Sequence, residues 1–94
     1  MVDIYNIIND WVKSDKILNK YFDVRGRTIV VRYSEDQGPK YEYIGCMTDQ
    51  HILLGYSGDV SGYEECINYT DPQLFGQLRK KLMSIINSGM ASKN

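Results

Sequence analysis

The sequence predicts an α+β fold in which an amphipathic helix precedes a four-stranded antiparallel meander and a second helix follows it. Three observations carry that expectation. Apolar residues recur at helical spacing near both ends of the chain. Between them, residues 28–69 are rich in β-branched and aromatic residues that alternate with polar ones. Clusters of Gly, Asp and Pro divide that stretch where loops belong.

At the N-terminal end, Ile4, Ile7, Ile8, Trp11, Val12, Leu18 and Phe22 form one helical stripe. Asp3 suits the N-cap, and Lys16 and Lys20 suit the negative end of the helix dipole. Ile17 and Tyr21 fall off the stripe, which predicts a bend or restart near Ser14-Asp15. Trp11 is expected in the core. Asp23 to Arg27 reads as a connection, with Gly26 free to take a positive φ and Arg25 and Arg27 exposed beside it.

The strands are expected at Thr28–Ser34, Tyr41–Thr48, His51–Tyr56 and Tyr63–Tyr69. In the second, Ile44 and Cys46 share one face, and Tyr41, Tyr43 and Met47 the other. Asp49-Gln50 is short enough for a tight hairpin, although it lacks the glycine that favours one. Ile52-Leu53-Leu54 is apolar on both faces, which predicts a central strand. Ser57 to Gly62 reads as a loop. Asp71 and Pro72 open the last helix, whose stripe runs through Leu74, Phe75, Leu78, Leu82, Ile85 and Ile86 to a stop at Gly89. Gly76 lies off that stripe and should face solvent. Residues 1–89 form one domain and 90–94 a flexible tail. A curled, barrel-like closure of the meander is the variant architecture.

The 94 residues, 43% hydrophobic and 24% charged, exclude a disordered chain. No apolar run approaches the length of a membrane span. Met1-Val2-Asp3-Ile4 has no basic region ahead of an apolar stretch, which predicts a cytoplasmic protein. Cys46 and Cys66 are then expected reduced and buried as small apolar residues. The net charge of −1 is unevenly spread. Residues 1–32 carry +2 and residues 72–94 carry +4, whereas residues 33–71 carry −7. The predicted sheet is acidic and its helices are basic.

Known chemistry finds little purchase. Cys46, Asp49, His51 and Cys66 are the most metal-like set, but they lack the close ligand pairs of zinc sites. Cys46, His51 and an acid could supply a nucleophile, a base and an orienter, with nothing in their spacing to join them. Gly55-Tyr56-Ser57-Gly58-Asp59 misses the nucleophile-elbow pattern at Asp59, and Gly58 to Gly62 has no helix start behind it to cradle phosphate. No cofactor is expected, and no catalytic residue.

Eight tyrosines are more than a core of this size requires. The expected binding surface is therefore acidic and tyrosine-bearing, made of Tyr41, Tyr43, Tyr56, Tyr63 and Tyr69 with Glu42, Asp59, Glu64 and Glu65. Such a surface suits a protein partner with a basic face, and predicts an inhibitor or adaptor rather than an enzyme. Self-association through the free sheet face is a special case that would make a homo-oligomer. The alternative is a nucleic-acid or nucleotide binder using Lys13, Lys16, Lys20, Arg25, Arg27 and Arg32. A sequence pI near 5.7 weighs against it.

Gly45, Asp49-Gln50 and the run Ile52-Leu53-Leu54 resemble the glycine–aspartate–apolar pattern of bacterial Sm-like RNA-binding proteins. That resemblance covers Gly45 to Leu54 and implies a small barrel behind an N-terminal helix. The family's second signature is not recognisable at Cys66-Ile67-Asn68, and the long C-terminal helix departs from the pattern. The acidic strand segment would repel phosphates.

Overall fold

The computed structural model describes residues 3–32, 43–55 and 63–87, with the backbone alone at 43, 63 and 64. The described residues fold as two helices, a five-stranded antiparallel sheet and a third helix. The elements are α1 (Ile4–Ser14), α2 (Lys16–Tyr21), β1 (Phe22–Arg25), β2 (Thr28–Val31), β3 (Tyr43–Met47), β4 (His51–Gly55), β5 (Tyr63–Asn68) and α3 (Leu74–Asn87). The α+β class stands, with one strand more than the sequence predicts.

The N-terminal helix breaks at Asp15, which is extended (φ −90°, ψ 114°) and so cannot continue the helix. Its carboxylate accepts from the Ile17 and Leu18 N–H groups and thereby starts α2. Asp3 caps α1 in the same way, accepting from Tyr5 N and Asn6 N. Phe22 does not extend the helical stripe. It opens β1, whose apolar–charged alternation pairs Phe22 with Val31 and Arg25 with Thr28. The expected connection is thus a strand and a two-residue hairpin. Gly26 takes φ +59°, and among the described residues no non-glycine has a positive φ, so only the first turn position is left-handed. That is the II′ pattern, whose twist matches the strands it joins.

The sheet runs in chain order, β1-β2-β3-β4-β5, and is open. The barrel variant, and the closure implied by the Sm-like resemblance, are therefore not found: β1 and β5 are its two edges. The β3–β4 turn works without glycine because Thr48 holds it. The Thr48 hydroxyl accepts from the His51 N–H at 2.9 Å and lies 3.0 Å from the His51 carbonyl, which also accepts from the Thr48 N–H at 2.8 Å.

Strand alternation sorts the sheet into two unlike faces. Phe22, Ile29, Val31, Met47, Ile52, Leu54 and Ile67 are buried and belong to one core with Ile8, Val12, Leu18, Leu74, Leu78, Leu82 and Ile85 of the helices. All three helices therefore cover the same side. The pairing of β2 with β3 shifts between Ile29 and Val30, from Gly45 to Tyr43. This bulge leaves Ile44 as an extra residue, and Ile44 and Met47 are both buried, not on opposite faces as simple alternation expects. Gly45 sits where an added Cβ would lie 3.2 Å from Leu54 Cδ2 and 3.3 Å from Ile29 Cδ1. Its missing side chain lets those two neighbours close over β3.

The N-terminal stripe is narrower than its spacing suggests. Ile8 and Val12 are buried, Trp11 is half-buried, and Ile7 is 37% exposed. In α3 the stripe holds: Leu74, Leu78, Leu82 and Ile85 are buried, Phe75 and Ile86 partly so, and Gly76 faces open space. The Asp71 carboxylate accepts from the Gln73 N–H at 2.8 Å and from Gln77 Nε2 at 2.9 Å, capping a turn at Pro72 and Gln73 that leads into α3 at Leu74. Gly89 and the tail at 90–94 lie outside the described residues.

Two contacts clasp α3 to the N-terminal helices. Trp11 and Phe75 place their ring centroids 5.1 Å apart. Arg79 Nε donates to Asp15 Oδ2 at 2.8 Å. That hydrogen bond holds the Asp15 carboxyl below its usual value, aided by the Leu18 and Ile17 N–H groups and opposed by desolvation. A depressed folded-state pKa stabilises the fold above the unfolded value of 3.8, and that stability is lost as pH falls through the lower folded value. Asp15→Ala, which removes both cap and clasp, should cost about 1–3 kcal/mol in urea denaturation at pH 7. Asp15→Asn keeps capping capacity and should cost less. Its urea midpoint should also fall less than the wild type's between pH 5 and pH 2. Equal midpoints for all three proteins at every pH would show that Asp15 carries no such double role.

Candidate functional site

The side of the sheet away from the helices is the surface that the fold leaves over. On it, Thr28, Cys46, Leu53 and Cys66 form one row across β2 to β5, each paired with the next. Asp23 and Val30 pair beside that row on β1 and β2, and His51 and Asn68 at its other flank. Thr28, Val30, Cys46 and Leu53 are half-buried and Cys66 is exposed, while their core-side neighbours Ile29, Met47, Ile52, Leu54 and Ile67 are buried. No described helix lies over this face. Its centre is apolar (Val30, Leu53) and thiol-bearing, and its margin is polar.

Both cysteines belong to this row, which explains why they are not the buried residues the sequence predicts. They flank Leu53 from two different strands, so they stand roughly 9–10 Å apart, beyond the reach of a disulfide. Among the described residues no three His, Cys, Asp or Glu side chains converge to hold a metal.

The expected acidic, tyrosine-bearing surface is only partly in view. Tyr41, Glu42, Tyr56 and Asp59 lie outside the described residues. Tyr43, Tyr63 and Glu64 are placed by backbone alone, Tyr43 paired with Val30 and Tyr63 with Gly55. Glu65 is exposed. Tyr69 follows β5 at the alternation of Ile67, and its ring packs against the core. Its hydroxyl is buried, with no hydrogen-bond partner among the described residues. Tyr69 is half-buried, with its hydroxyl turned inward.

Other carboxylates of the acidic segment are committed to the fold. Asp71 caps α3. Asp49 accepts from the Tyr5 hydroxyl at 3.0 Å and lies 3.7 Å from Arg27 Nη1, whose guanidinium sits 4.7 Å from the Tyr5 ring centroid. This exposed triad joins α1 to both hairpin turns at one end of the sheet. The arginines named for phosphate binding are likewise engaged. Arg25 pairs with Asp23 at 3.1 Å, and Arg32 Nε donates to the Phe22 carbonyl at 3.0 Å.

Sequence reasoning missed the Thr28–Cys46–Leu53–Cys66 row, although Ile52-Leu53-Leu54 carried its signal: the middle residue of an apolar triplet in a strand must face away from its neighbours. No protein-family model matches the chain, and no curated protein or solved structure is significantly similar to it. Among the described residues no helix is long and apolar enough to cross a membrane.

Burial pushes the Tyr69 phenol from 10.0 up to about 12. A raised folded-state value leaves stability untouched below pH 10 and removes it as pH climbs toward 12. Tyr69→Phe deletes a buried hydroxyl that has no partner among the described residues. It should leave stability at pH 7 unchanged or raise it by up to about 1 kcal/mol. It should also flatten the decline in thermal midpoint above pH 10. A loss of more than about 2 kcal/mol would mean that the hydroxyl has a partner.

Proposed function

We propose that this chain is a non-enzymatic recognition domain that acts through a protein partner, as an inhibitor or adaptor, by presenting the helix-free face of its sheet. The observation that carries this reading is the one-sided burial: three helices on one face, and on the other a row centred on Leu53 that no described helix covers. An apolar centre with a polar margin is the anatomy of a protein interface. In the chain, Tyr41, Glu42, Tyr43, Tyr56, Asp59, Tyr63 and Glu64 all flank or belong to β3, β4 and β5. That neighbourhood favours a partner with a basic surface, drawn in by charge and held by a few aromatic and aliphatic anchors. Nucleic-acid binding has less support, because Arg25 and Arg27 pair with carboxylates of this chain and Arg32 with its backbone.

Leu53→Asp is the discriminating variant, since it places a charge at the centre of the row without entering the core. Wild-type protein immobilised in native extract should retain a partner with a basic surface, identified by mass spectrometry. Leu53→Asp should lose that partner while keeping its circular dichroism spectrum and thermal midpoint. Retention of the same partner by the variant would contradict the assignment of this face. Concentration-dependent mass in sedimentation, abolished by Leu53→Asp, would identify the partner as a second copy of the chain.

A further inference from the structure

A second surface lies at the edge of the sheet, separate from the face just described. β5 is a terminal strand, and no described strand pairs with its outer side. The Tyr69 N–H donates to the Gln50 carbonyl at 3.2 Å, which fixes the phase of the ladder. In an antiparallel pair only alternate residues exchange hydrogen bonds with the neighbour. Ile67 and Glu65 therefore bond toward β4, and the amides of Cys66 and Asn68 point outward. The Asn68 carbonyl is already taken by the Asp71 N–H at 3.0 Å, so Asn68 keeps only its N–H for a new neighbour, whereas Cys66 keeps both its N–H and its carbonyl. The opposite edge is blunted. β1 has four residues, Asp23 and Arg25 pair along it at 3.1 Å, and Arg32 comes within 3.9 Å of Asp23.

Beside the β5 edge runs α3. Glu65 and Ile67 of the strand line a groove of about 440 Å³ with Gln77, Lys80 and Lys81 of the helix. Lys81 has an interaction of its own. Glu65 and Lys80 are exposed, and the ion pairs that join described residues use neither. The groove therefore offers one carboxylate and one ammonium, a balanced set that complements itself when turned about a two-fold axis.

We infer that β5 pairs with β5 of a second copy of this chain, antiparallel and centred on Cys66, so that the two sheets join edge to edge. A two-fold pairing of strands sets one residue opposite its own copy. Glu65 in that place would put two carboxylates face to face. Ile67 in that place would aim the Cys66 N–H at the Asn68 carbonyl, which is taken. With Cys66 in that place both of its bonds are exchanged, and Glu65 lies opposite Ile67 of the second copy, in the groove that Lys80 of that copy lines. The row Thr28–Cys46–Leu53–Cys66 then continues without a break into the same row of the second copy. Because the β1 edge is blunted, pairing closes at two copies and does not run on as a fibre.

The test is sedimentation equilibrium of the full chain, with a thiol cross-link to report the register. The wild type should show a monomer–dimer equilibrium. Cys66→Pro should leave a monomer with an unchanged circular dichroism spectrum, because proline at an outward-facing edge amide spares the bonds to β4. Lys80→Glu and Glu65→Lys should each weaken the dimer about tenfold, by turning two attractions between the copies into repulsions. The two substitutions together should restore it. In the paired strands the two Cys66 Cα atoms stand about 5.5 Å apart. A short bismaleimide should therefore link Cys66 to Cys66, in the wild type and in Cys46→Ser alike. Four results would each overturn the inference: a monomer at every concentration up to about 1 mM, a dimer indifferent to Cys66→Pro, a double charge swap no tighter than the single ones, or linkage through Cys46. Leu53→Asp should leave this dimer intact. A dimer lost in Leu53→Asp and kept in Cys66→Pro would place the contact on the sheet face instead, so the two surfaces are read apart.

Discussion

Leu53 and Leu54 are adjacent in the chain and opposite in the fold, and the structure depends on that opposition. A strand can offer only every second side chain to a core. In a chain of this length there is helical surface enough to bury one face of a five-stranded sheet, and α1, α2 and α3 are all spent on it. Each side chain fully buried there stabilises the fold by about 1.5–3 kcal/mol. The complementary row has no such cover among the described residues. The functional reading and the stability of the fold thus follow from the same alternation.

Holding three helices on one face requires joints between them, and these absorb many of the charged groups. Asp15 starts α2 and bonds Arg79 of α3, so one carboxylate defines both the break in the N-terminal helix and its docking. Asp49 gathers Tyr5 and Arg27 where α1 meets the two hairpin turns. Charges counted from the sequence as a binding potential are in part fold-building charges. What remains for recognition is more localised: the apolar row centred on Leu53 with its polar margin.

Much of the architecture was legible in the sequence because helix caps and apolar stripes are local signals. Asp3, Asp71, Gly26 and the α3 stripe act as their chemistry dictates. β1 was hidden because Phe22 falls in phase with the helical stripe, and four residues of alternation cannot outweigh that. The burial of Ile44 was illegible for a different reason: a bulge is a property of two strands together, and no pattern within β3 announces it. The cysteines were misplaced by a general tendency toward burial that their register overrides. As for the site, the tyrosine count pointed to the sheet but could not separate Tyr69, whose hydroxyl the core encloses, from its relatives. The groove beside β5 joins residues of a strand to a helix face that reads, alone, as ordinary solvated surface.

One face of the sheet is buried and the other open, and solvent paramagnetic relaxation of methyl groups measures this directly. With a soluble gadolinium probe, the Val30 and Leu53 methyls should be strongly attenuated, while those of Ile29, Ile52, Leu54 and Ile67 remain protected. Equal protection of Leu53 and Leu54 would contradict the account, for it would mean that both faces are covered and that no open sheet surface exists.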